Sequence, residues 1–248
     1  GLEPRYSPPE GDVLPLDDPA RSLLYNGNMN IFKDRADAGR RLAEKLLGYK
    51  RDNPLVLALP RGGVPVGYEV AEALDAPLDT IIARKIGAPD NPEFGVGAIA
   101  PGDILVLDTE TLHRLGLGRE ALDGVIKRET QEMERRIAKY RSGGWSKDAP
   151  ANTVVVVDDG LATGVTARAA LRSARIIYKP KTTIFASPVC ARDSLESLKP
   201  YADKIICVSE PENLTAIGEW YEDFPQTSDE EVLYYLNKAY ERKQRTHR

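Results

Sequence analysis

Two adjacent carboxylates, Asp158 and Asp159, stand directly before a turn that carries Gly160, Thr163, Gly164 and Thr166. The glycines let backbone amides turn inward, the threonines add hydroxyl donors, and a helix starting here offers unpaired N–H groups at the positive end of its dipole. Such a turn is a cradle for a phosphate dianion. The acidic pair cannot share that phosphate, because like charges repel. It must face another part of the ligand, either hydroxyls or a metal. A sugar phosphorylated at one end satisfies both halves. Two other phosphate motifs fail on their letters: Gly164 is followed by Val165 where a Walker loop needs Lys-Ser/Thr, and Gly160 and Gly164 lack the spacing of a dinucleotide fingerprint. An ordinary buried strand ending in an Asp-Gly turn is the plain alternative, and the full run from Thr153 to Tyr178 outweighs it.

The elements that must position these residues read from both sides of the turn. Val154 to Val157 have no polar face to offer water, which predicts a strand buried on both sides in a parallel sheet sandwiched between helices. Ala167, Ala170, Leu171 and Ala174 follow at helical spacing. A second strand-turn-helix unit runs from Leu55 to Leu59, through Pro60-Arg61-Gly62-Gly63-Val64-Pro65, into a helix with Val66, Val70, Ala71 and Leu74 on one face. Parallel-sheet geometry puts this turn at the same sheet edge as Asp158, so two anion cradles share one crevice. By itself the second turn is weak evidence, since Gly and Pro are common in tight connections.

Val154 to Thr166 resembles the signature of type I phosphoribosyltransferases: a hydrophobic strand, two acidic residues and a loop ending Thr-Gly-x-Thr. The resemblance implies an α/β fold of three layers, with a central mostly parallel sheet, a flexible antiparallel flap and a small hood. It implies that Asp158 and Asp159 hold the ribose hydroxyls of phosphoribosyl pyrophosphate (PRPP) and that Ala162, Thr163, Gly164, Val165 and Thr166 hold its 5-phosphate. The turn at Arg61, Gly62 and Gly63 resembles the family's pyrophosphate loop, in which an unusual peptide geometry is common; Gly62 and Gly63 would tolerate one. Mg2+ is the implied cofactor, resting on Asp158 and Asp159 directly or through water. The implied reaction transfers the phosphoribosyl group to a nitrogen acceptor, a nucleobase first among them, with no residue assigned as acid or base.

The rest of the chain supplies further expectations. Asp34 reads as the N-cap of a helix with Ala38, Leu42, Ala43, Leu46 and Leu47 on one face and Gly48 as its stop. Leu78 to Ala83 reads as a strand ending in Arg84-Lys85. The Gly/Pro-rich stretch Ile86 to Asp103 reads as a long irregular loop, at the place where the family's flap closes over PRPP. Arg84 is then a pyrophosphate contact, Lys85 a catalytic one, and Glu93 a further candidate. A solvated strand end is the alternative for the basic pair. Arg119 to Arg141 predicts a long helix whose stripe of Leu122, Ile126, Met133, Ile137 and Tyr140 is a core or subunit contact, the latter implying a homodimer, with Ser142-Gly143-Gly144 ending it. Ile104–Asp108, Thr182–Val189 and Lys204–Val208 predict strands, and Asp193–Lys199 a helix. Pro211–Phe224, with Trp220, Tyr221 and Phe224 above Ser187–Cys190, is the candidate base hood; core packing of a C-terminal lid is the competing reading.

The ends and the composition bound the alternatives. Residues 1–28 hold Pro4, Pro8, Pro9, Pro15 and Pro19 and read as an irregular arm, residues 29–227 as the transferase domain with its hood, and residues 228–248 as a helix and basic tail. In 248 residues the net charge is −4, which argues against unaided nucleic-acid binding. No apolar run reaches the roughly 20 residues that span a bilayer, and no signal-peptide core opens the chain, so a cytoplasmic location is expected. Cys190 and Cys207 have no metal or redox spacing and read as buried free thiols. His113 and His247 are too few for a histidine-based site. A PRPP synthetase would need two similar domains, and no internal repeat is present. A PRPP-sensing binding module on the same fold is the standing alternative to an enzyme.

Overall fold

A computed structural model of the chain describes residues 31–140 and 151–246. The arm over residues 1–28 and the helix stop at Ser142-Gly143-Gly144 lie outside the described residues. Strands β1 (Pro54–Ala58) and β6 (Thr153–Val157) lie side by side at the centre of a sheet, parallel and in register from Pro54 opposite Thr153 to Ala58 opposite Val157. Strand β2 (Leu78–Thr80) flanks β1, and β7 (Thr182–Val189) and β8 (Lys204–Ser209) extend the sheet from β6, all parallel. The order β2-β1-β6-β7-β8 therefore reverses direction between β1 and β6. In open α/β sheets that reversal opens a crevice beyond the strand ends.

The four valines of β6 are fully buried and alternate between two cores. Val155 and Val157, with Val56 and Ala58, face the side covered by helices α1 (Arg35–Leu46), α2 (Gly63–Leu74) and α7 (Asp229–Thr246). Val154 and Val156, with Leu55 and Leu57, face helices α5 (Val165–Tyr178) and α6 (Arg192–Leu198). The three layers follow from a strand with no polar face. Asp34 caps α1 as expected, accepting the Asp37 amide at 2.7 Å. Leu47 departs from expectation: the α-helix ends at Leu46 and tightens into a 3-10 turn over Leu47–Asp52, which rotates Leu47 out to 51% exposure.

Residues 86–103 are not irregular. Strands β3 (Arg84–Ala88), β4 (Asn91–Ala100) and β5 (Ile104–Leu107) form a separate antiparallel sheet, and the strand expected over residues 78–83 shrinks to Leu78–Thr80. The glycines that suggested a loop sit where strands approach too closely for a side chain: a Cβ at Gly97 would lie 2.5 Å from Val106 O, and one at Gly87 would strike Pro92. Register shifts on either side of Gly87 take up the irregularity as a bulge. The base of this ribbon is anchored on α5, where Ala98, Ala100, Ile104 and Val106 pack on Val165 and Ala169 and Ser173 donates to Pro101 O at 2.6 Å. Its tip, residues 91–95, is exposed.

After β5 come a short helix, α3 (Thr109–Arg114), and the long helix α4 (Asp123–Tyr140), whose expected first turn is a 3-10 turn over Arg119–Leu122. Leu122, Met133 and Tyr140 are buried in the core, with Ile126 and Ile137 packed against it. Cys190 and Cys207 are not free thiols. They form a disulfide, because parallel pairing of β7 with β8 brings their Cα atoms to 6.2 Å, a bridgeable separation that sequence spacing cannot reveal. Among the described residues no helix is long and apolar enough to cross a membrane.

Ser228 and Glu231 form a capping box at the start of α7. Asp229 ties this helix to α4, accepting from Lys139 at 2.6 Å and from Tyr140 at 2.5 Å. The Lys139 hydrogen bond, then that of Tyr140, lowers the Asp229 carboxyl to about 2. A folded value below the unfolded one means that the stabilisation is full above about pH 4 and is lost as pH falls towards 2. The urea midpoint of Asp229→Asn should therefore lie below that of the wild type at pH 6, with the gap closing as pH drops to 3. A gap independent of pH would refute the assignment.

Candidate functional site

The in-register pairing of β1 and β6 makes their two turns meet. Leu59 N donates to Val157 O at 2.8 Å, so the chain leaving β1 stays against β6 until the acidic pair begins. The Pro60–Arg61 peptide is cis, one step before the glycines where an unusual peptide geometry was expected. A Cβ at Gly63 would lie 2.8 Å from Val157 O and 3.0 Å from Asp158 Cα, and a Cβ at Gly62 would overlap the Asp159 carboxylate. Both residues are glycine because the acidic pair presses on them. The Gly63 amide, expected as a ligand donor, already donates to Leu59 O at 3.0 Å, since α2 begins there. That leaves the Arg61 and Gly62 amides, which have no backbone partner among the described residues, as the donors this turn presents.

The other cradle follows the acidic pair. Ala162 and Thr163 are exposed, Gly164 adopts φ 73°, and α5 starts at Val165 with no side-chain cap, so the amides of Val165 and Thr166 open at a helix N-terminus. Ser194 Oγ donates to Ala162 O and fastens the back of the loop to the start of α6. Gly160 is a close approach as well: a Cβ there would strike Ile217, which seats the C-terminal lid on the turn.

The two carboxylates differ in their surroundings. Asp158 Oδ1 accepts the Asp159 amide at 2.9 Å, and burial together with the neighbouring Asp159 charge pushes the Asp158 carboxyl well above the usual range. Asp159 pairs with Arg35, whose Nε lies 2.9 Å from Oδ2. The Tyr221 hydroxyl donates to Asp159 O at 2.6 Å, and burial followed by the Asp159 charge raises its phenol. Arg35 was not among the candidates from sequence. Its signal was its position: it shares a helical face with Ala38 and Leu42, so its guanidinium has to be buried and matched.

The basic residues expected to meet pyrophosphate are paired within the chain. Arg84 contacts Glu129 of α4 at 2.6 Å, Lys85 donates to Glu93 O at 3.0 Å and lies 3.3 Å from its carboxylate, and Arg61 lies 3.8 Å from Asp229. Lys85 and Glu93 sit on the exposed side of the ribbon, so the Lys85 pair is an open one. Trp220 and Tyr221 form no exposed platform. They are buried with Phe32, Ala38 and Val189, Cys190 is buried in its disulfide, and Phe224 lies under the Arg35 guanidinium. These rings are the core of the lid.

A phosphate-sized loop, an acidic pair and a second glycine turn, gathered at the switch point of a parallel sheet beside an antiparallel ribbon, define a phosphoribosyltransferase-type fold. The phosphoribosyl transferase domain family matches residues 27–222, and the chain belongs to that family. Two Mycobacterium tuberculosis proteins, of strains CDC 1551 / Oshkosh and ATCC 25618 / H37Rv and each named "Putative phosphoribosyl transferase", are 40% identical over 212 residues, 86% of this chain. The chain spans about half, 48%, of the length of these curated relatives. The crystal structure of the protein TT1426 from Thermus thermophilus is 37% identical and superposes with a TM-score of 0.69, covering 84% of this chain and 98% of that one.

The contact between Gly62 and the acidic pair predicts a contrast between two alanine substitutions. Gly62→Ala must displace Asp159 and crowd Arg35 Nε, 3.2 Å from the new methyl, and should cost about 1–3 kcal/mol in urea denaturation. Gly48→Ala, with nothing within 4 Å of its Cβ, should be neutral. Equal midpoints for the two variants would show that the turns do not abut.

Proposed function

We propose that the chain transfers the 5-phosphoribosyl group of PRPP to a nitrogen acceptor of the nucleobase kind, releasing pyrophosphate. The observation that carries this reading is the contact between the two glycine turns at the acidic pair, an arrangement that would suit the two phosphoryl ends of one ligand on either side of a pair of carboxylates. The acceptor nitrogen's lone pair forms the new bond to the anomeric carbon as the bond to pyrophosphate oxygen breaks. The electron pair leaves with pyrophosphate, and the proton of an acceptor N–H passes to solvent. In this reading Ala162 to Thr166 hold the 5-phosphate, with the α5 N-terminus supplying positive potential. The Arg61 and Gly62 amides face the departing pyrophosphate, where preorganised donors act most strongly on the charge that develops. Acidic residues at 158 and 159 orient the ribose and favour positive charge at its anomeric carbon. Arg84 and Lys85 serve pyrophosphate by exchanging Glu129 and Glu93 for it.

Mg2+ fits the donor set in one way. Among the described residues no group of three or more His, Cys, Asp or Glu side chains could hold a metal alone. Hard carboxylate oxygens of the acidic pair, Asp158 first because Asp159 Oδ2 is already held by Arg35, would suit an ion that keeps several waters and shares its coordination with substrate phosphates. When bound, it offsets the charge of pyrophosphate. The lid closed by Ile217 on Gly160 and the antiparallel ribbon supply the walls that exclude water from the reacting carbon.

Titration calorimetry with PRPP and Mg2+, followed by a panel of bases, tests the reading. PRPP with Mg2+ should bind the wild type and raise its melting temperature by mass action. Asp158→Asn combined with Asp159→Asn should keep the circular dichroism of the folded chain while lowering transfer about a hundredfold or more. Wild-type turnover in that double variant would sink the ribose assignment, and PRPP binding without transfer to any base would favour a sensor.

A further inference from the structure

Arg35 touches three parts of the site at once. Its Nε donates to Asp159 Oδ2 at 2.9 Å, its Nη1 donates to Pro225 O at 2.7 Å, and its guanidinium carbon lies 3.7 Å from the centroid of the Phe224 ring. The room for it exists because residue 62 has no side chain: a Cβ there would lie 3.2 Å from Nε. Tyr221 closes the circuit by donating to Asp159 O at 2.6 Å. Asp159 is thus held by its carboxylate to Arg35 of α1, which in turn grips Pro225 O and Phe224, and by its backbone to Tyr221 of the lid. Asp158 differs. Among the described residues its carboxylate accepts the Asp159 amide and forms no direct ion pair, the Arg35 charge reaching it only as a minor influence behind burial and Asp159.

We propose that Arg35 is a positioning residue that divides the work of the acidic pair, neutralising Asp159 and fastening it to the lid so that Asp158 is the carboxylate the ligand meets. The proposal rests on the phosphoribosyl reading of the site. Two adjacent carboxylates in a partly desolvated crevice repel each other, and both would repel a ligand rich in phosphate. A guanidinium removes one of these charges where it stands. Its planar fork holds a carboxylate and a carbonyl in fixed directions while its face stacks on an aromatic ring, which an ammonium cannot do. Arg35 therefore acts on the ligand through Asp159, with no contact of its own.

That indirect action has a distinct experimental form. PRPP affinity with Mg2+ and ligand-free melting temperature are measured for the wild type, Arg35→Gln, Asp159→Asn, the double variant of these two, and Asp158→Asn. Arg35→Gln should weaken PRPP binding by about tenfold, because it exposes an uncompensated Asp159 charge, and adding Asp159→Asn should restore most of that loss. Asp158→Asn should weaken binding more than Asp159→Asn. Independent, additive losses in the double variant, or a loss in Asp159→Asn equal to that in Asp158→Asn, would overturn the division of work while leaving the PRPP reading intact. If the wild type binds no PRPP at millimolar concentration, the phosphoribosyl reading fails, and with it the ligand-facing role of Asp158. The melting temperatures then still decide the pairing: a loss in Arg35→Gln relieved by Asp159→Asn keeps Arg35 as the neutralising partner, and additive losses remove it.

Discussion

Five residue pairs between β1 and β6, all in parallel register, bring two turns to the same level at the edge of one sheet. Everything at the site depends on that register. A slip would move each valine of β6 from one core to the other and would part the glycine turn after β1 from the carboxylates after β6. Burial on both faces holds the register in place: Val155 and Val157 pack towards α1, α2 and α7, and Val154 and Val156 towards α5 and α6. Stability and site geometry therefore have one cause. The residues that make the sheet's core also set the distance between its two glycine turns.

Close approach has an electrostatic consequence. Two carboxylates and a backbone turn converge where water is partly excluded, and the chain answers with one buried guanidinium and one phenol, both reaching Asp159. Asp158 has no direct ion pair among the described residues, and burial and its neighbour's charge push its carboxyl upward against the smaller opposing pull of Arg35.

The lid illustrates how an apolar segment can serve a polar site from behind. Trp220, Tyr221 and Phe32 are packed inward, while the Tyr221 hydroxyl and the Phe224 face turn to the acidic pair and its arginine. Rings used in this way fix the geometry of charges next to them, because a packed aromatic has little freedom to move. The antiparallel ribbon stands on α5, the helix that follows the turn after the acidic pair.

The layered fold, the two strand-turn-helix units and the acidic pair were legible in the sequence because each is written locally: an all-apolar strand, glycines at a turn, a helical stripe. Where a signal was ambiguous at short range, tertiary structure decided. Glycine and proline in residues 86–103 read as a loop, yet Gly97 and Gly87 are there to let strands of a ribbon come close. Leu47 read as part of an apolar face until the helix tightened and turned it outward. Cys190 and Cys207 carried no pairing signal, since their 6.2 Å separation is a product of strand order alone. The aromatic segment near the C-terminus could have been platform or core, and packing made it core. Arg35 was the least visible, because its partners Asp159, Phe224 and Pro225 lie more than 120 residues away along the chain. Local chemistry is encoded by neighbours in sequence, whereas the pairing of a buried charge is settled only when distant segments have packed around it.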